Sequence, residues 1–376
     1  MKKAAFIHSS ALESGGYPPH CPFNTSRAGK TRSTAMSMGL LGGADAREVQ
    51  PIQATRADLT LFHNESYLDI LQRASSTTVS PETLMVGIGS VDCPAFDGMY
   101  DYVAWAAGAT LTGAELLLKQ EADIVFNPSG GFHHAAPDRA AGFCYLNDIG
   151  LAALKLSNAG MKVAVLDVDV HHLDGVQDAF VARDDILTVS MHEDGRTLFP
   201  GTGAVHEIGV DRGKGFTVNI PLPVGTYNQI YYQAFVEAAL PVLKAYKPDV
   251  IVMELGMDAL AGDPLAHLHL TNTVYIDLIK DVMALDVPIL ATGGGGYHVG
   301  NTVRAWTLAW SVLCDRYEEH PNIGLGGVMM ENTEWIGGLR DRAYLTDGGQ
   351  RAHIAAEIHA VIQTVQRLVF PIHGIE

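Results

Sequence analysis

The sequence predicts an α/β fold in which a mostly parallel central sheet of about eight strands carries helices on both faces. Eight short runs of apolar, often β-branched residues resemble strands that are buried on both faces, as in a parallel sheet. Segments with helical spacing lie between these runs, and such alternation is typical of α/β proteins. Apolar residues form 47% of the 376 residues, which excludes disorder for most of the chain.

The elements alternate along the whole chain. The predicted strands are Ala4–His8, Val49–Ala54, Asp123–Asn127, Val163–Val170, Ile186–Met191, Phe216–Ile220, Asp249–Glu254 and Pro288–Thr292. The predicted helices are Thr25–Leu41, Glu65–Ala74, Met99–Gln120, Asp148–Asn158, Tyr227–Ala245, Asn272–Leu285, Thr302–Cys314 and Ala352–Leu368. Two helix ends carry stop signals, because Gly160 and Pro248 follow shortly after the helical pattern is lost.

The least regular part of the chain is Asp315–Gly349, where several glycines interrupt any pattern. We predict a small C-terminal cap there, or an irregular return to the last helix. The sequence contains no internal repeat, low-complexity tract or linker. We therefore predict a single domain over residues 1–376.

Charge and cysteine content exclude several classes of protein. Twenty-five basic and forty-two acidic residues give a net charge of −17, and no Lys/Arg run forms the basic patch of a nucleic-acid-binding protein. Such an acidic chain attracts cationic ligands, such as basic protein tails or polyamines. The four cysteines lie far apart, and no apolar stretch is long enough for a membrane span or a signal peptide. We therefore expect a cytoplasmic protein, and its oligomeric state stays open.

Polar, ionisable residues follow four of the predicted strands. Ligands of open α/β sheets bind beyond the carboxyl ends of the strands, so these residues are candidates for a shared site. The four segments are 128–134, 167–175, 255–258 and 293–297.

Asp167, Asp169 and His171 form the densest of these groups. If the strand continues to Val170, alternating side chains place all three on one face. Neighbouring buried carboxylates repel each other, and a bound cation removes that penalty. The alternative is a strand end that frays into solvent with both aspartates hydrated.

Asp258 is the natural further ligand, since it also lies just past a strand. Two carboxylates and one imidazole leave a coordination position open for water, as in catalytic metal sites. This donor set fits Zn²⁺, Fe²⁺ or Co²⁺. A solvated loop aspartate is the alternative for Asp258.

His133 and His134 follow two glycines, which allow a sharp turn and a close approach of the backbone. One histidine could act as general base on metal-bound water. Each would need a carboxylate to fix its tautomer, and Asp167 and Asp174 are the candidates. The alternative is a pair of surface histidines.

The glycine run 293–296 before Tyr297 has two interpretations. It could bind phosphate, although no P-loop pattern is present. It could instead bring the Tyr297 phenol beside the metal, where a hydrogen bond would stabilise a developing oxyanion.

The motifs GGFHHA at 130–135, DVDVHH at 167–172, ELGMD at 254–258 and GGGGY at 293–297 together resemble the histone deacetylase family, which has an arginase-like fold. The likeness extends from about residue 24 to residue 304. The segments CPFNTSR at 21–27 and GFCYLND at 142–148 resemble most closely the class I deacetylases and their bacterial acetoin-utilization relatives.

The resemblance implies a zinc-dependent hydrolase that acts on acetylated or acylated lysine side chains. It implies one Zn²⁺ per chain, and a bound K⁺ as well. It implies an acetylated protein or a small acetylated amine as substrate, with neither nucleic acid nor membrane as partner. The zinc ligands would be Asp169, His171 and Asp258.

The resemblance also implies roles for other residues. His133 and His134, paired with Asp167 and Asp174, would be the acid–base couple, and Tyr297 would polarise the acyl carbonyl. Substrate-binding residues would be Asp92 at the rim of the tunnel, Gly142, Phe143, Phe199 and Leu265 along it, and Arg27 near the inner cavity. The K⁺ ligands would be Asp167, Asp169, His171, Ser190 and Met191.

Two residues depart from the family pattern. Leu173 stands where a glycine is usual, and its side chain could shift the loop that bears Asp174. His298 follows Tyr297 where a small polar residue is common.

Four functions remain open from the sequence: a protein lysine deacetylase, an acetylpolyamine amidohydrolase, a metal-dependent binding module and a two-metal ureohydrolase. The interval from Asn64 to Asp92 lacks the long insertion that polyamine enzymes of the family tend to carry, so the polyamine enzyme ranks second. All the implied catalytic residues are present, which disfavours a binding module.

Overall fold

The structure is a computed structural model that describes residues 2–13, 16–43, 45–75, 79–317, 338–342 and 348–376. Most of the stretch Asp315–Gly349, for which we predict a cap or an irregular return, lies outside the described residues. The single domain over residues 1–376 therefore stays a prediction.

The centre of the fold is one sheet of eight strands, all parallel. In chain order, the strands are β1 (Ala4–Ile7), β2 (Ala46–Val49), β3 (Ile124–Asn127), β4 (Val163–Asp167), β5 (Ile186–Glu193), β6 (Thr217–Leu222), β7 (Val250–Glu254) and β8 (Ile289–Thr292). Their spatial order is β2-β1-β3-β8-β7-β4-β5-β6. The predicted fold class is confirmed, and the sheet is wholly rather than mostly parallel.

Helices cover both faces of this sheet. The helices in chain order are α1 (Ser26–Ser37), α2 (Arg56–Leu59), α3 (Glu65–Ala74), α4 (Pro81–Met85), α5 (Met99–Leu118), α6 (Asp148–Asn158), α7 (Asp174–Phe180), α8 (Asn228–Ala234), α9 (Leu240–Tyr246), α10 (Thr273–Met283), α11 (Val299–Leu313) and α12 (Gly348–Val369). Successive residues of a strand point to opposite faces and so belong to two hydrophobic cores. In β1, Ala4 and Phe6 belong to the core that contains α8 to α12, whereas Ala5 and Ile7 belong to the core that contains α3, α5 and α6. None of the described helices combines the length and apolarity that a bilayer crossing needs.

The predicted strand Val49–Ala54 is wrong in position, because β2 covers Ala46–Val49. This strand lies at the edge of the sheet, where Arg47 is exposed, so it lacks the continuous apolar character of a central strand. The apolar residues after Val49 include Pro51, which cannot donate to a ladder of hydrogen bonds.

The predicted single helix Tyr227–Ala245 is three segments in the structure. A wider π-helical turn, Phe235–Ala239, separates α8 from α9. At its end the Leu240 N–H donates to the Phe235 carbonyl, five residues back. Pro241 follows and has no N–H to give, so the regular ladder of hydrogen bonds cannot pass through this point.

A row of buried polar residues runs across six neighbouring strands, at the carboxyl ends of four of them and within β5 and β6. Register places each member directly opposite the next. In order across the sheet, the row is Asn127, Thr292, Glu254, Asp167, Ser190 and Asn219. The four members at strand ends, Asn127, Thr292, Glu254 and Asp167, each follow an apolar run, so they mark the edge of the sheet where polar residues collect.

Candidate active site

The four loops that the sequence selects meet at one edge of the sheet. They follow β3, β8, β7 and β4, which are consecutive neighbours in the sheet. The site therefore lies directly above the carboxyl ends of these strands, which is where open α/β sheets bind their ligands.

Asp169, His171 and Asp258 converge in a buried cluster. The His171 Nδ1 lies 3.1 Å from Asp169 Oδ1 and 3.0 Å from Asp258 Oδ2, and one donor atom from each residue lies within 4.8 Å of the others. Asp258 Oδ1 accepts the Val170 N–H at 2.9 Å, which leaves Oδ2 directed at the imidazole. All three side chains are buried, so the aspartates are not hydrated residues of a frayed strand.

The convergence arises from turns, whereas the sequence suggested a continuing strand. Strand β4 ends at Asp167, whose Oδ1 accepts the Asp169 N–H at 3.0 Å. Asp169 Oδ1 then accepts the His171 N–H at 2.8 Å. Two successive Asx turns thus curl the chain, because an aspartate side chain readily bonds the backbone two residues on. As a result Asp167 faces His133, while Asp169 faces His171.

The cluster has the electrostatics of a cation site. Burial and the neighbouring Asp169 carboxylate raise the pKa of Asp258 to about 7. Burial disfavours the charged form of His171 too, but the two carboxylates outweigh it and raise the pKa of His171 to about 10. Two carboxylates held together without water need a positive charge, which a divalent cation supplies. The donor set fits the zinc ion that the resemblance of the motifs implies.

His133 and His134 form two adjoining dyads beside this cluster. His133 Nδ1 bonds Asp167 Oδ2 at 2.8 Å, and His134 Nδ1 bonds Asp174 Oδ1 at 2.6 Å. The two Nε2 atoms lie 3.0 Å apart, so one proton can bridge them. Both imidazoles are buried, which excludes the surface alternative.

The two imidazoles carry opposite electrostatic biases. Burial lowers the pKa of His133, but Asp167 and nearby carboxylates outweigh this effect and raise it to about 9. Burial, together with the positive charge on His133, lowers the pKa of His134 to about 4. At neutral pH His133 is therefore positively charged, and His134 is neutral.

Leu173 does not disturb the second dyad. Its side chain is buried in the core on the α5 and α6 face, and α7 begins at the next residue, Asp174. The Asp174 carboxylate reaches His134 from this first helical position. Leu173 is thus a core residue that anchors the start of α7.

Two residues that sequence reasoning left without a role support the histidine pair. Asn147 donates its amide N–H to the His133 carbonyl at 3.2 Å and to the Ala135 carbonyl at 2.9 Å. Asp148 Oδ1 accepts the Phe132 N–H at 2.7 Å. Both residues are fully buried at the start of α6, and buried polar groups at such a position are the signal that could have identified them.

The glycine run 293–296 carries Tyr297 to the rim of the cluster. A Cβ at Gly295 would overlap the Asp258 carboxylate, and one at Gly294 would overlap the Glu254 carboxylate. Carboxylates so close to this loop repel phosphate, so the geometry favours the second interpretation of the run. The Tyr297 ring lies 6.3 Å from the His171 ring, between centroids.

Burial first, then the Asp258 and Asp169 carboxylates, raise the pKa of the Tyr297 phenol well above its usual range. The phenol thus keeps its proton and can donate a hydrogen bond. Arg27 supports the loop behind it, because its guanidinium donates to the Gly296 carbonyl at 2.7 Å and to the Gly294 carbonyl at 3.0 Å.

Aromatic rings surround the approach to this cluster. The Phe199 ring lies 5.0 Å from the His134 ring, and the Phe143 ring lies 5.6 Å from the Tyr297 ring. Gly142, at a φ of 51°, lies where a Cβ would overlap the His134 ring. These residues place aromatic rings beside His134 and Tyr297.

Other predicted substrate-binding residues lie further out. Leu265 is half-buried in the loop after Asp258. Asp92 is exposed and directly precedes Cys93, whose thiol donates to the Cys144 carbonyl beside Phe143. His298, which follows Tyr297, has a structural role: its Nδ1 accepts the Asn301 N–H at 3.2 Å and so caps α11.

Two of the predicted potassium ligands, Ser190 and Met191, lie on β5, next to the strand that ends at Asp167. Ser190 is paired with Asp167 across β4 and β5, and Met191 follows it. The Ser190 hydroxyl contacts His192 Nδ1 at 2.8 Å.

Glu254 stands out as a buried acid without an assigned role. Its Oε2 accepts the Gly256 N–H at 2.9 Å, while Oε1 makes no hydrogen bond within the described part of the chain. Donor atoms of His133, Asp167 and Glu254 also lie within 4.8 Å of one another. Burial and the Asp167 charge raise the pKa of Glu254 well above its usual range.

Comparisons with known proteins point to one family. A family profile described as the histone deacetylase domain matches residues 21–313. The chain is 40% identical over 292 residues to histone deacetylase 8 of Xenopus tropicalis, and the aligned region is 77% of this chain and 78% of that protein. It is 39% identical over 301 residues to histone deacetylase B of Dictyostelium discoideum, covering 80% and 71%.

Solved structures give the same result. The HDAC homolog from Aquifex aeolicus superimposes with a TM-score of 0.84 at 28% identity, covering 97% of this chain and 100% of that chain. An HDAC homolog complexed with SAHA gives a TM-score of 0.85 at 28% identity and the same coverage.

Proposed function

This chain belongs to the histone deacetylase family, whose members hydrolyse the amide of acetyl-lysine, and on that premise we propose that it is a zinc-dependent lysine deacylase. The observation that carries the proposal is the joint placement of three buried metal donors, two bridged imidazoles and a protonated phenol at one edge of the sheet. Each of these parts serves the hydrolysis of an unactivated amide.

Asp169, His171 and Asp258 would hold one zinc ion per chain. When bound, the ion would polarise the acyl carbonyl and lower the pKa of the attacking water. The glycines at 256 and 295 leave the space that the Asp169 and Asp258 carboxylates occupy. The protein thus supplies a fixed set of ligands with no side chain in their way.

His134 would take the proton of the attacking water at Nε2, because it is neutral at pH 7 and its Nδ1 is fixed by Asp174. His133 would stay positively charged, and its charge would stabilise the negative charge that develops on the attacked amide. The pair titrates as a unit, so one of the two then returns a proton to the leaving amine.

Tyr297 would donate its phenolic hydrogen bond to the oxyanion that forms when the carbonyl is attacked. A donor placed for the oxyanion is among the largest single contributions to amide hydrolysis. Tyr297→Phe should therefore lower kcat by about 10²-fold or more while the zinc content stays unchanged.

Phe143 and Phe199 would flank the aliphatic part of the lysine side chain, with Gly142 giving it room. Leu265 would bound the tunnel, Asp92 would bind the substrate backbone at the rim, and Arg27 would lie near the inner cavity where acetate leaves. A net charge of −17 favours the approach of lysine-rich substrates.

Two further proposals rest on the resemblance of the motifs. A potassium ion would lie against Asp167, Asp169, His171, Ser190 and Met191, and the pairing of Asp167 with Ser190 supports this location. A cytoplasmic location would suit the four cysteines, none of which forms a disulfide.

The test is a competition between substrates on the zinc-loaded protein. Acetyl-lysine peptides, longer acyl-lysine peptides and acetylpolyamines are compared by kcat/KM. We expect the lysine peptides to lead, and we expect chelation to abolish the rate and added zinc to restore it. A lead by acetylpolyamines would identify the small-molecule amidohydrolase instead.

The matched variants are Asp258→Asn and Asp249→Asn. The first removes a proposed zinc ligand, whereas the second makes the same change at the opposite end of β7, where Asp249 accepts the Lys162 N–H. Amide hydrolysis that survives Asp258→Asn would refute the proposed metal site.

A further inference from the structure

We propose that Asp263 is a positioning residue that holds the Tyr297 phenol and the Leu265 wall of the tunnel in a fixed relation. The proposal rests on the proposed deacylase function. It adds a residue that acts through its two neighbours and does not itself touch the substrate.

The Asp263 carboxylate joins two loops. Its Oδ2 accepts the Tyr297 N–H at 2.7 Å, and its Oδ1 accepts the Leu265 N–H at 3.0 Å. The residue is buried, at 8% exposure, where charge-assisted hydrogen bonds to backbone N–H groups are strong. One side chain thus binds the residue proposed to stabilise the oxyanion and a residue of the tunnel wall.

Tyr297 needs such an anchor because four glycines precede it. Glycine has no side chain with which to fix a loop by packing. Arg27 holds the carbonyls at positions 294 and 296, and Asp169 Oδ2 accepts the Gly295 N–H at 2.8 Å. The Tyr297 N–H itself donates to Asp263, and this bond fixes the backbone from which the phenol extends.

The far end of the Asp263 loop is fixed by a second buried carboxylate. Glu193 accepts the His267 N–H at 2.9 Å and also contacts His267 Nδ1 at 2.9 Å. The Thr197 hydroxyl donates to the same Glu193 at 3.0 Å, and Thr197 lies on the loop that carries Phe199. Residues 263–267 are therefore held at both ends, and Leu265 lies between the two anchors.

This arrangement predicts two separable effects of Asp263. A displacement of the phenol lowers kcat, because a donor must sit where the oxyanion forms. A looser Leu265 wall admits longer acyl groups, since an apolar pocket discriminates by the space that it leaves.

The test is Asp263→Asn, alone and combined with Tyr297→Phe. The two N–H groups bond different oxygens of Asp263, so in the asparagine variant one of them would face the NH2 group, which cannot accept a hydrogen bond. For the single variant we expect kcat on an acetyl-lysine peptide to fall about 10- to 100-fold, with KM within about 3-fold. In the Tyr297→Phe background, Asp263→Asn should change kcat by less than about 3-fold, because the group through which it acts is already absent.

The second readout is acyl-chain preference. The ratio of kcat/KM for a butyryl-lysine peptide over an acetyl-lysine peptide should rise several-fold in Asp263→Asn. The rise should persist in the double variant, because it depends on Leu265 rather than on the phenol. Asp249→Asn, which alters a comparable carboxylate-to-backbone bond at the opposite end of β7, should leave both quantities unchanged.

The outcomes separate the two proposals. No deacylation by the wild-type protein, or a Tyr297→Phe variant at full rate, would overturn the proposed function or the role of Tyr297 in it. A slow Tyr297→Phe variant with Asp263→Asn at full rate would overturn the positioning role, and so would losses that multiply in the double variant. If Asp263→Asn does not fold, Asp263→Glu keeps both acceptors but moves them, and its kcat loss should likewise vanish in the Tyr297→Phe background.

Discussion

His133 and His134 are neighbours in the sequence, and each binds an aspartate through Nδ1, yet the two dyads differ in charge. The Asp167 side chain is fully buried, whereas that of Asp174 is 21% exposed. His133 stands closest to the buried carboxylates and keeps a proton, and its charge in turn keeps His134 neutral. Two pairings of the same kind can therefore differ in charge, because the positive charge on one ring disfavours protonation of the other.

The strongest test of this division is to remove each imidazole in turn. His134→Ala removes the proposed base, so kcat on an acetyl-lysine peptide should fall by about 10³-fold or more. His133→Ala removes a stabilising charge and should cost less, about 10²-fold. Zinc content serves as the control for both. Equal losses, or a larger loss for His133→Ala, would contradict the assignment of roles.

The two aspartates should differ in stability as well as in rate. Asp167→Asn leaves a buried imidazolium without its counter-charge, and we expect a loss of about 3–5 kcal/mol in the free energy of unfolding. Asp174→Asn affects a partly exposed pair and should cost about 1–3 kcal/mol. Denaturant titration of both variants measures the difference. A larger loss for Asp174→Asn would reverse the ranking of the dyads.

The pH dependence shows whether the charge on His133 controls His134. His134 must be neutral to accept a proton, and its pKa of about 4 leaves it neutral over the physiological range. His133→Gln removes the positive neighbour, so the pKa of His134 should rise and the acid limb of kcat/KM should move to higher pH, by about one unit or more. A limb that stays at the wild-type pH would mean that the two rings do not interact.

The smallest effect on rate is expected at Leu173, beside the more exposed dyad. Leu173→Ala leaves a cavity in the core and should lower the free energy of unfolding by about 2–5 kcal/mol. Below the melting transition, kcat should stay within about 3-fold of wild type, because Asp174 is held by its own bond to His134. A kcat loss comparable to that of Asp174→Asn would show that Leu173 positions the dyad.

The fold was predictable from sequence wherever burial is complete on both faces of a strand. Central strands such as Val163–Asp167 are wholly buried and therefore have continuous apolar runs. The edge strand β2 has one exposed arginine and two half-buried residues, so its sequence does not differ from that of a loop. Bounds of the long helices were predicted closely where a stop signal follows, as at Asn158.

In the candidate site, the sequence indicated which side chains come together but not the contacts that hold them. Asp169 and His171 could be identified because polar residues follow an apolar run, yet the Asx turns that bring them together depend on hydrogen bonds that spacing does not reveal. Asp263 and Asn147 bind backbone atoms of residues far along the chain. Such contacts do not produce a repeating pattern of residue types, so they cannot be predicted from the sequence alone.

The glycine run 293–296 has a consequence for how this protein can vary. Small residues in loops are usually taken to be exchangeable, since nothing packs against them. Here the missing methyl groups are what allow two acids, Glu254 and Asp258, to sit directly against the main chain. A single added carbon at either point would displace an acid from its partners, so the lightest residues of the molecule should prove harder to replace than many of its bulky ones.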